Sequence, residues 1–167
     1  IGVLAEDIRG LPVPEIVGGI CESLEGSGYQ MLFSDLHLME RLYNRYEQVG
    51  LYREWINDGI ALLLQAHVDG IISVGMHDRH LDGIVTPIEK PLIFAYSHGS
   101  NENYVTYNNQ ESAQKVTRYL IGMGHSRIGL IAGHPHSYPT MQRMSGFQIA
   151  MQQAGLPIPE GYVRYGD

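Results

Sequence analysis

Apolar residues recur in two registers along this chain: stripes spaced by three and four residues, and short unbroken runs closed by glycine. Residues 119–133, YLIGMGHSRIGLIAG, carry both. Ala113, Val116, Thr117, Leu120 and Ile121 fall on one helical face, which predicts a helix lying on something buried. Gly122 and Gly124 end it, with Gly124 placed to take the left-handed conformation just beyond, and His125 and Arg127 near the electronegative helix end. Residues 128–132 follow as a nearly all-apolar run, the pattern of a parallel strand covered by helices on both faces, and Gly133 closes it.

The same unit repeats along the chain. Residues 1–5 (IGVLA) predict a buried strand and residues 6–13 a loop at its carboxyl end. Pro14 at a first helical position, beside Glu15, opens a helix with Ile16, Val17, Ile20, Cys21 and Leu24 as its apolar stripe, ended by Gly28. Residues 29–34 predict a second strand. Residues 35–57 mix charges with Tyr43, Tyr46, Tyr52 and Trp55, a longer and more aromatic connection than usual, and receive no assignment. Ile56, Ile60, Leu63 and Leu64 predict a helix that stops before Asp69 and Gly70; Ile71–Val74 is a third strand, residues 75–90 a polar loop and residues 91–96 a fourth strand. Residues 104–107 are a fifth extended piece. A helix over residues 139–154 is expected to turn Met144, Phe147, Met151 and Ala154 inward, and a last strand begins at residues 162–165.

Alternating strands and helices predict an α/β fold with doubly wound parallel sheets. The polar turn formers Ser97, His98, Gly99, Ser100, Asn101, Glu102 and Asn103 break the series, so residues 1–100 are expected to form an N-terminal lobe and residues 101–167 the first part of a second, incomplete one.

Charge and composition narrow the function. A net charge of −7 with 11 Lys and Arg spread along the chain argues against a stand-alone nucleic-acid binder. The only cysteine, Cys21, lies in a helical stripe where core filling is expected, so an internal disulfide is impossible and a reduced, cytoplasmic setting fits. No apolar run approaches the roughly 20 residues of a membrane span. The chain opens on Ile1 rather than Met, and we expect it to be a piece of a longer protein.

Ligands of open α/β sheets sit outside the carboxyl ends of the strands. Here those positions are residues 6–13, 75–79, 96–100, 108–111 and 133–143, rich in carboxylates, amides, hydroxyls and histidines suited to a small polar or polyhydroxyl ligand. Enzyme signatures are missing: Arg127 stands where a dinucleotide fingerprint starting at Gly122 needs glycine, and neither a phosphate loop nor a nucleophile elbow occurs. His77 with His80, and His134 with His136, lack cysteine companions and helical spacing, so they read as solvated loop histidines rather than metal ligands, even with Asp78 near by. Arg143 lies off the Met144, Phe147 and Met151 stripe and reads equally as a surface arginine or a ligand contact.

The central stretch, followed by Arg143-Met144-Ser145-Gly146-Phe147 and Ala154-Gly155-Leu156-Pro157, resembles the effector-binding domain of LacI/GalR-family transcription regulators, relatives of periplasmic sugar-binding proteins. The resemblance extends to IGVLAEDI at the start, Gly19-Ile20, Gly28-Tyr29, Val68-Asp69-Gly70-Ile71-Ile72 and Pro91. It implies a periplasmic-binding-protein type I-like fold of two lobes closing on a small-molecule effector, typically a sugar. It further implies a homodimer and contact with DNA only through a separate N-terminal helix-turn-helix domain. No enzymatic activity, cofactor, metal or membrane association is implied. Carried over by position, Arg143 matches an effector-contacting arginine. Glu6, Gly10, Pro12 and Val13 match first-loop positions lining the cleft, and Glu111 matches a polar contact at the start of the second-lobe helix.

The chain departs from the family where Gly10-Leu11-Pro12-Val13 replaces Asn-Pro-Phe-Phe, Tyr96-Ser97 replaces Asp-Arg and Asn108-Asn109 replaces Asp-Asn, and in the long stretch 35–57. A complete domain of this family is longer, its chain returning to finish both lobes, so the second sheet is expected to leave an apolar flank for a partner such as a second copy. Two other classes fit less of the pattern: a periplasmic-type sugar receptor of the same fold, and an α/β enzyme, motivated only by the polar strand-end loops.

Overall fold

The computed structural model describes residues 1–42, 52–100 and 103–166. Tyr43 and Tyr46 of the unassigned connection lie outside the described residues. The chain divides into two compact units, Ile1–Thr106 and Tyr107–Asp167.

In the first unit, β1 (Gly2–Ala5), β2 (Leu32–Asp35), β3 (Ile71–Val74), β4 (Leu92–Ala95) and β5 (Asn103–Val105) form one sheet of order β2-β1-β3-β4-β5. Every neighbouring pair is parallel. Val3, Leu4 and Ala5 of β1, with neighbours on both sides, are buried, as an inner strand requires. Helix α1 (Val13–Leu24) packs through Val13, Ile16, Val17 and Ile20, and α3 (Arg53–Gln65) buries Ile56, Ile60 and Leu63. Two glycines let α3 approach: a Cβ at Gly2 would meet Leu63 at 3.1 Å, and one at Gly59 would meet Leu4 at 2.8 Å. The short helix α2 (Leu38–Leu42) occupies part of the connection left unassigned by periodicity.

Three expectations need correction in this unit. Cys21 is exposed, not core, because the α1 stripe is centred on Val13, Ile16, Val17 and Ile20, and its Sγ lies 3.7 Å from Met31 Sδ. The second strand starts at Leu32 and runs on to Asp35, and as an edge strand it leaves Leu32 and Phe33 exposed. Strand β5 pairs with β4, so Asn103–Val105 closes the first unit rather than opening the second.

In the second unit, α4 (Asn109–Gly122), β6 (Leu130–Ala132), α5 (Tyr138–Gln153) and β7 (Val163–Tyr165) follow in order, with β6 and β7 parallel. Gly124 takes φ +92, the predicted left-handed turn after α4. Ile128, Phe147 and Met151 form the core, joined by Leu120, Ile121, Leu130, Met144 and Val163. The two helices meet at Gly146, where a Cβ would lie 2.1 Å from the Gln110 carbonyl oxygen. Strand β6 is not covered on both faces: Ile131 is 89% exposed because side chains alternate along a strand and only its Leu130 face meets the helices. Val116 and Ala154, expected inward, are exposed as well, whereas Thr117, expected on the same face of α4 as Val116, is buried. Among the described residues no helix is long and apolar enough to cross a membrane.

Close helix contact and backbone conformation are separable. Gly146→Ala is expected to cost about 2–3 kcal/mol in denaturant unfolding, because backbone rather than a pliable side chain blocks the new methyl. Gly124→Ala meets no atom within 4 Å and loses only conformational ease, about 1 kcal/mol. The reverse ranking would show that α4 and α5 do not pack at Gly146.

Candidate functional site

Parallel pairing gathers the loops after β1, β3 and β4 at one edge of the first sheet, and polar side chains concentrate there. Asp7, fully buried, accepts from Arg9 Nε at 2.9 Å, from Arg9 Nη2 at 2.9 Å and from the amides of Arg9 and Met39. The bidentate Arg9 guanidinium, chief among these donors, holds the Asp7 carboxyl at about 2, below its ordinary 3.8. Arg9 also donates through Nη1 to Glu40 of α2 at 2.7 Å.

Beside it the Glu6 carboxylate, 3% exposed, accepts from the Met76 amide at 3.0 Å and lies 3.2 Å from Arg79 Nη2. Arg79 donates to the buried Tyr52 hydroxyl, with its guanidinium carbon 5.3 Å from the ring centre. Burial pushes the Tyr52 phenol up and keeps it neutral. It pushes His77 down to about 4, with Arg79 reinforcing the shift, so His77 is neutral near pH 7. His98 Nδ1 and Asp78 Oδ1 are 3.1 Å apart, both residues buried. Ser97 is buried, its hydroxyl without a hydrogen-bond partner among the described residues, and Tyr96 before it takes φ +59. Such a conformation for a bulky residue is held only by its surroundings.

The first loop is built tightly. Gly10 donates to the Asp7 carbonyl and accepts from the Val13 amide, and a Cβ at Gly10 would meet Met76 Cβ at 2.7 Å. Pro12 occupies the N-cap position of α1 without a side-chain hydrogen bond, Val13 after it is fully buried, and Leu11 is 96% exposed.

In the second unit the site residues meet at the α4 N-terminus. Asn108 caps the helix, its Oδ1 accepting from the Glu111 amide at 3.0 Å and its Nδ2 donating to Glu111 Oε2 at 2.9 Å. Lys115 sits 2.7 Å from the Glu111 carboxylate and lowers its pKa. The next residue, buried Asn109, accepts from Arg143 Nε at 2.9 Å. Arg143 itself is exposed on α5, and this bond engages Nε, so among the described residues the Nη donors of its fork have no hydrogen-bond partner. Thr140, on the first turn of α5, packs against Gly133, and the His134 and His136 rings lie 5.6 Å apart.

The structure thus brings Glu6, Gly10, Pro12 and Val13 together in one unit, and Glu111 and Arg143 around Asn108-Asn109 in the other. Asp7, Tyr52, Arg79 and Asn109 are not among the site residues expected from the sequence, although Arg79 and Asn109 lie in strand-end loops where ligands were expected. Asn109 carried a signal, the Asn-Asn pair before a helix. Arg79 and Tyr52 carried none. Among the described residues no three His, Cys, Asp or Glu side chains cluster as metal ligands. A recess of about 330 Å³ near Val85, Ile88, Lys90 and Asn103 lies toward the opposite, amino edge of β4 and β5.

The sequence profile described as "Periplasmic binding proteins and sugar binding domain of LacI family" matches residues 49–167. The chain is 27% identical over 176 residues to the HTH-type transcriptional repressor PurR of Vibrio parahaemolyticus, covering 100% of this chain and 47% of that protein. It is 29% identical over 167 residues to the maltose regulon regulatory protein MalI of Escherichia coli, covering 98% and 45%. With the ribose operon repressor of E. coli it shares 26% over 157 residues, covering 92% and 44%. The chain spans about half the length of these relatives. Among solved structures, the E. coli transcriptional repressor ascG superposes with a TM-score of 0.76 at 19% identity, covering 99% of this chain and 58% of that one. A sugar-binding transcriptional regulator of the LacI family from E. coli, complexed with phosphate, gives 0.74 at 19% identity, covering 99% and 57%.

The Asp7 clamp predicts an acid-side dependence. A folded-state pKa below the ordinary value contributes stability that is fully present above about 4 and is lost as pH falls through about 2. Asp7→Asn should lower the urea midpoint at pH 7 and flatten its fall between about pH 4 and 2. An acid limb as steep as the wild type's would remove Asp7 from the linkage.

Proposed function

Since the chain belongs to the family of periplasmic binding proteins and sugar-binding domains of the LacI family, we propose that it is the effector-sensing part of a bacterial transcription regulator. The effector is a small polar molecule, a sugar or related metabolite. The observation that carries this reading is the Arg143–Asn109 pair: an exposed guanidinium, oriented by a buried amide at a helix N-terminus, has donors left for a polar ligand. Around it Asn108 and Glu111 form a capped, pre-ordered rim.

In the first unit, Gly10 and Pro12 present the loop and Val13 anchors it, while Glu6 lies behind with Arg79. Loss of the loop aromatics and the supply of hydroxyls, amides and neutral His77 favour hydrogen bonding to a polyhydroxyl over ring stacking. Two of the relatives, a ribose operon repressor and a maltose regulon regulatory protein, are named for sugars of that class. Ligand binding in the proposed protein changes DNA binding by a separate N-terminal helix-turn-helix domain, in a cytoplasmic homodimer. The similar proteins are regulators rather than enzymes, and no catalytic step is assigned.

The test is a thermal-shift screen of the full-length protein against mono- and disaccharides, D-ribose and maltose included. A ligand at about 100 times its Kd adds about 2.7 kcal/mol, a shift of several degrees. Arg143→Ala should abolish that shift while leaving the ligand-free melting temperature nearly unchanged, because the residue lies off the packed Phe147 and Met151 face. An undiminished ligand shift in the variant would take Arg143 out of the site.

A further inference from the structure

The long connection between β2 and α3 meets the first loop directly at its near end and, through Arg79, at its far described end. At the near end, Leu36 and Leu38 donate to the carbonyls of Ala5 and Glu6 at 3.0 and 2.8 Å. Met39 donates to Asp7 Oδ2 at 2.9 Å, and Asp35 Oδ2 accepts from the Ile8 amide at 3.2 Å. Glu40 takes the remaining arm of Arg9 at 2.7 Å. At the far end, Tyr52 receives Arg79, which lies 3.2 Å from Glu6 Oε2, and the same oxygen accepts from the Met76 amide. Residues 5–9 therefore lie in one hydrogen-bonded frame whose other members come from the connection and from the loop after β3.

We propose that Glu40, acting through Arg9, and Tyr52, acting through Arg79 and Glu6, are positioning residues that hold the loop from Glu6 to Pro12 in its ligand-facing conformation. The inference rests on the reading of this sheet edge as an effector site. Neither residue needs to touch the effector. Their contribution is pre-organisation: a loop already ordered loses less conformational freedom when it binds. The geometry supports this over simple stabilisation. The Glu40 side chain is 72% exposed and adds little to the core, yet it completes the clamp on a fully buried aspartate through a half-exposed arginine. Tyr52, by contrast, is wholly buried, and its hydroxyl is directed at a buried guanidinium rather than at water.

The experiment is amide hydrogen exchange on the full-length protein without ligand, comparing wild type with Glu40→Ala and Tyr52→Phe. Exchange at Ile8, Arg9, Gly10 and Val13 should accelerate about tenfold or more in each variant, while the β1 and β3 amides keep their protection. Glu40→Gln, which retains an acceptor for Arg9, should recover part of the lost protection. Unchanged loop exchange in both variants, or equal acceleration in the loop and the strands, overturns the positioning role. Since Glu40→Ala alters an exposed side chain, it remains informative even if Tyr52→Phe fails to fold. The readout requires no effector, so its outcome is distinct from failure of the ligand screen.

Discussion

Parallel pairing of β1 between β2 and β3 is the constraint on which the first unit depends. Parallel neighbours point the same way, so each crossover must return the chain to the amino edge and deliver its next loop to the carboxyl edge. Glu6, Asp35, Gly75 and Tyr96 all arrive there from different strands. Carboxylates, two arginines and histidines then gather at one edge, and burial of most of them forces them to satisfy one another. Asp7 takes Arg9, Glu6 takes Arg79 and Met76, and Asp78 takes His98. The outcome is a polar edge in which both arginines are paired with carboxylates.

The second unit solves a different problem with fewer parts. Its core rests on Ile128, Phe147 and Met151, and the helices approach closely enough to bury them because Gly146 has no side chain. That same approach brings Arg143 of α5 to Asn109 of α4. Packing and the candidate ligand contact are thus consequences of one helix pair. The exposed Ile131 marks the other face of β6, which these two helices do not reach.

Much of the fold was legible in advance. The stripe of α3, strand β3 over Ile71–Val74, the glycine turn at Gly124 and the helix carrying Phe147 and Met151 all follow from residue type at short spacing. The errors share a cause. Cys21, Val116, Ala154 and Ile131 are apolar residues that local pattern alone assigns to a core, and exposure depends on whether another element covers them. Local spacing also could not resolve residues 35–57, where the five-residue α2 is held by hydrogen bonds to a distant loop and by one fully buried side chain, Leu38, too little for a readable stripe.

For the candidate site, residue types at the strand ends pointed to the loops, and the resemblance added Arg143, Glu111 and the first loop as expected contacts. Spacing within a helix or strand is a property of a few neighbouring residues, readable without knowing the partners. Which groups pair is a matter of the folded arrangement. Glu6 meets Met76 across 70 positions and Arg143 meets Asn109 across 34, separations at which no local rule operates. Those pairings exist because sheet order and helix packing place the groups together; for the buried Glu6 carboxylate and Met76 amide, desolvation leaves no stable alternative to one another, whereas Arg143 reaches its buried amide from the surface.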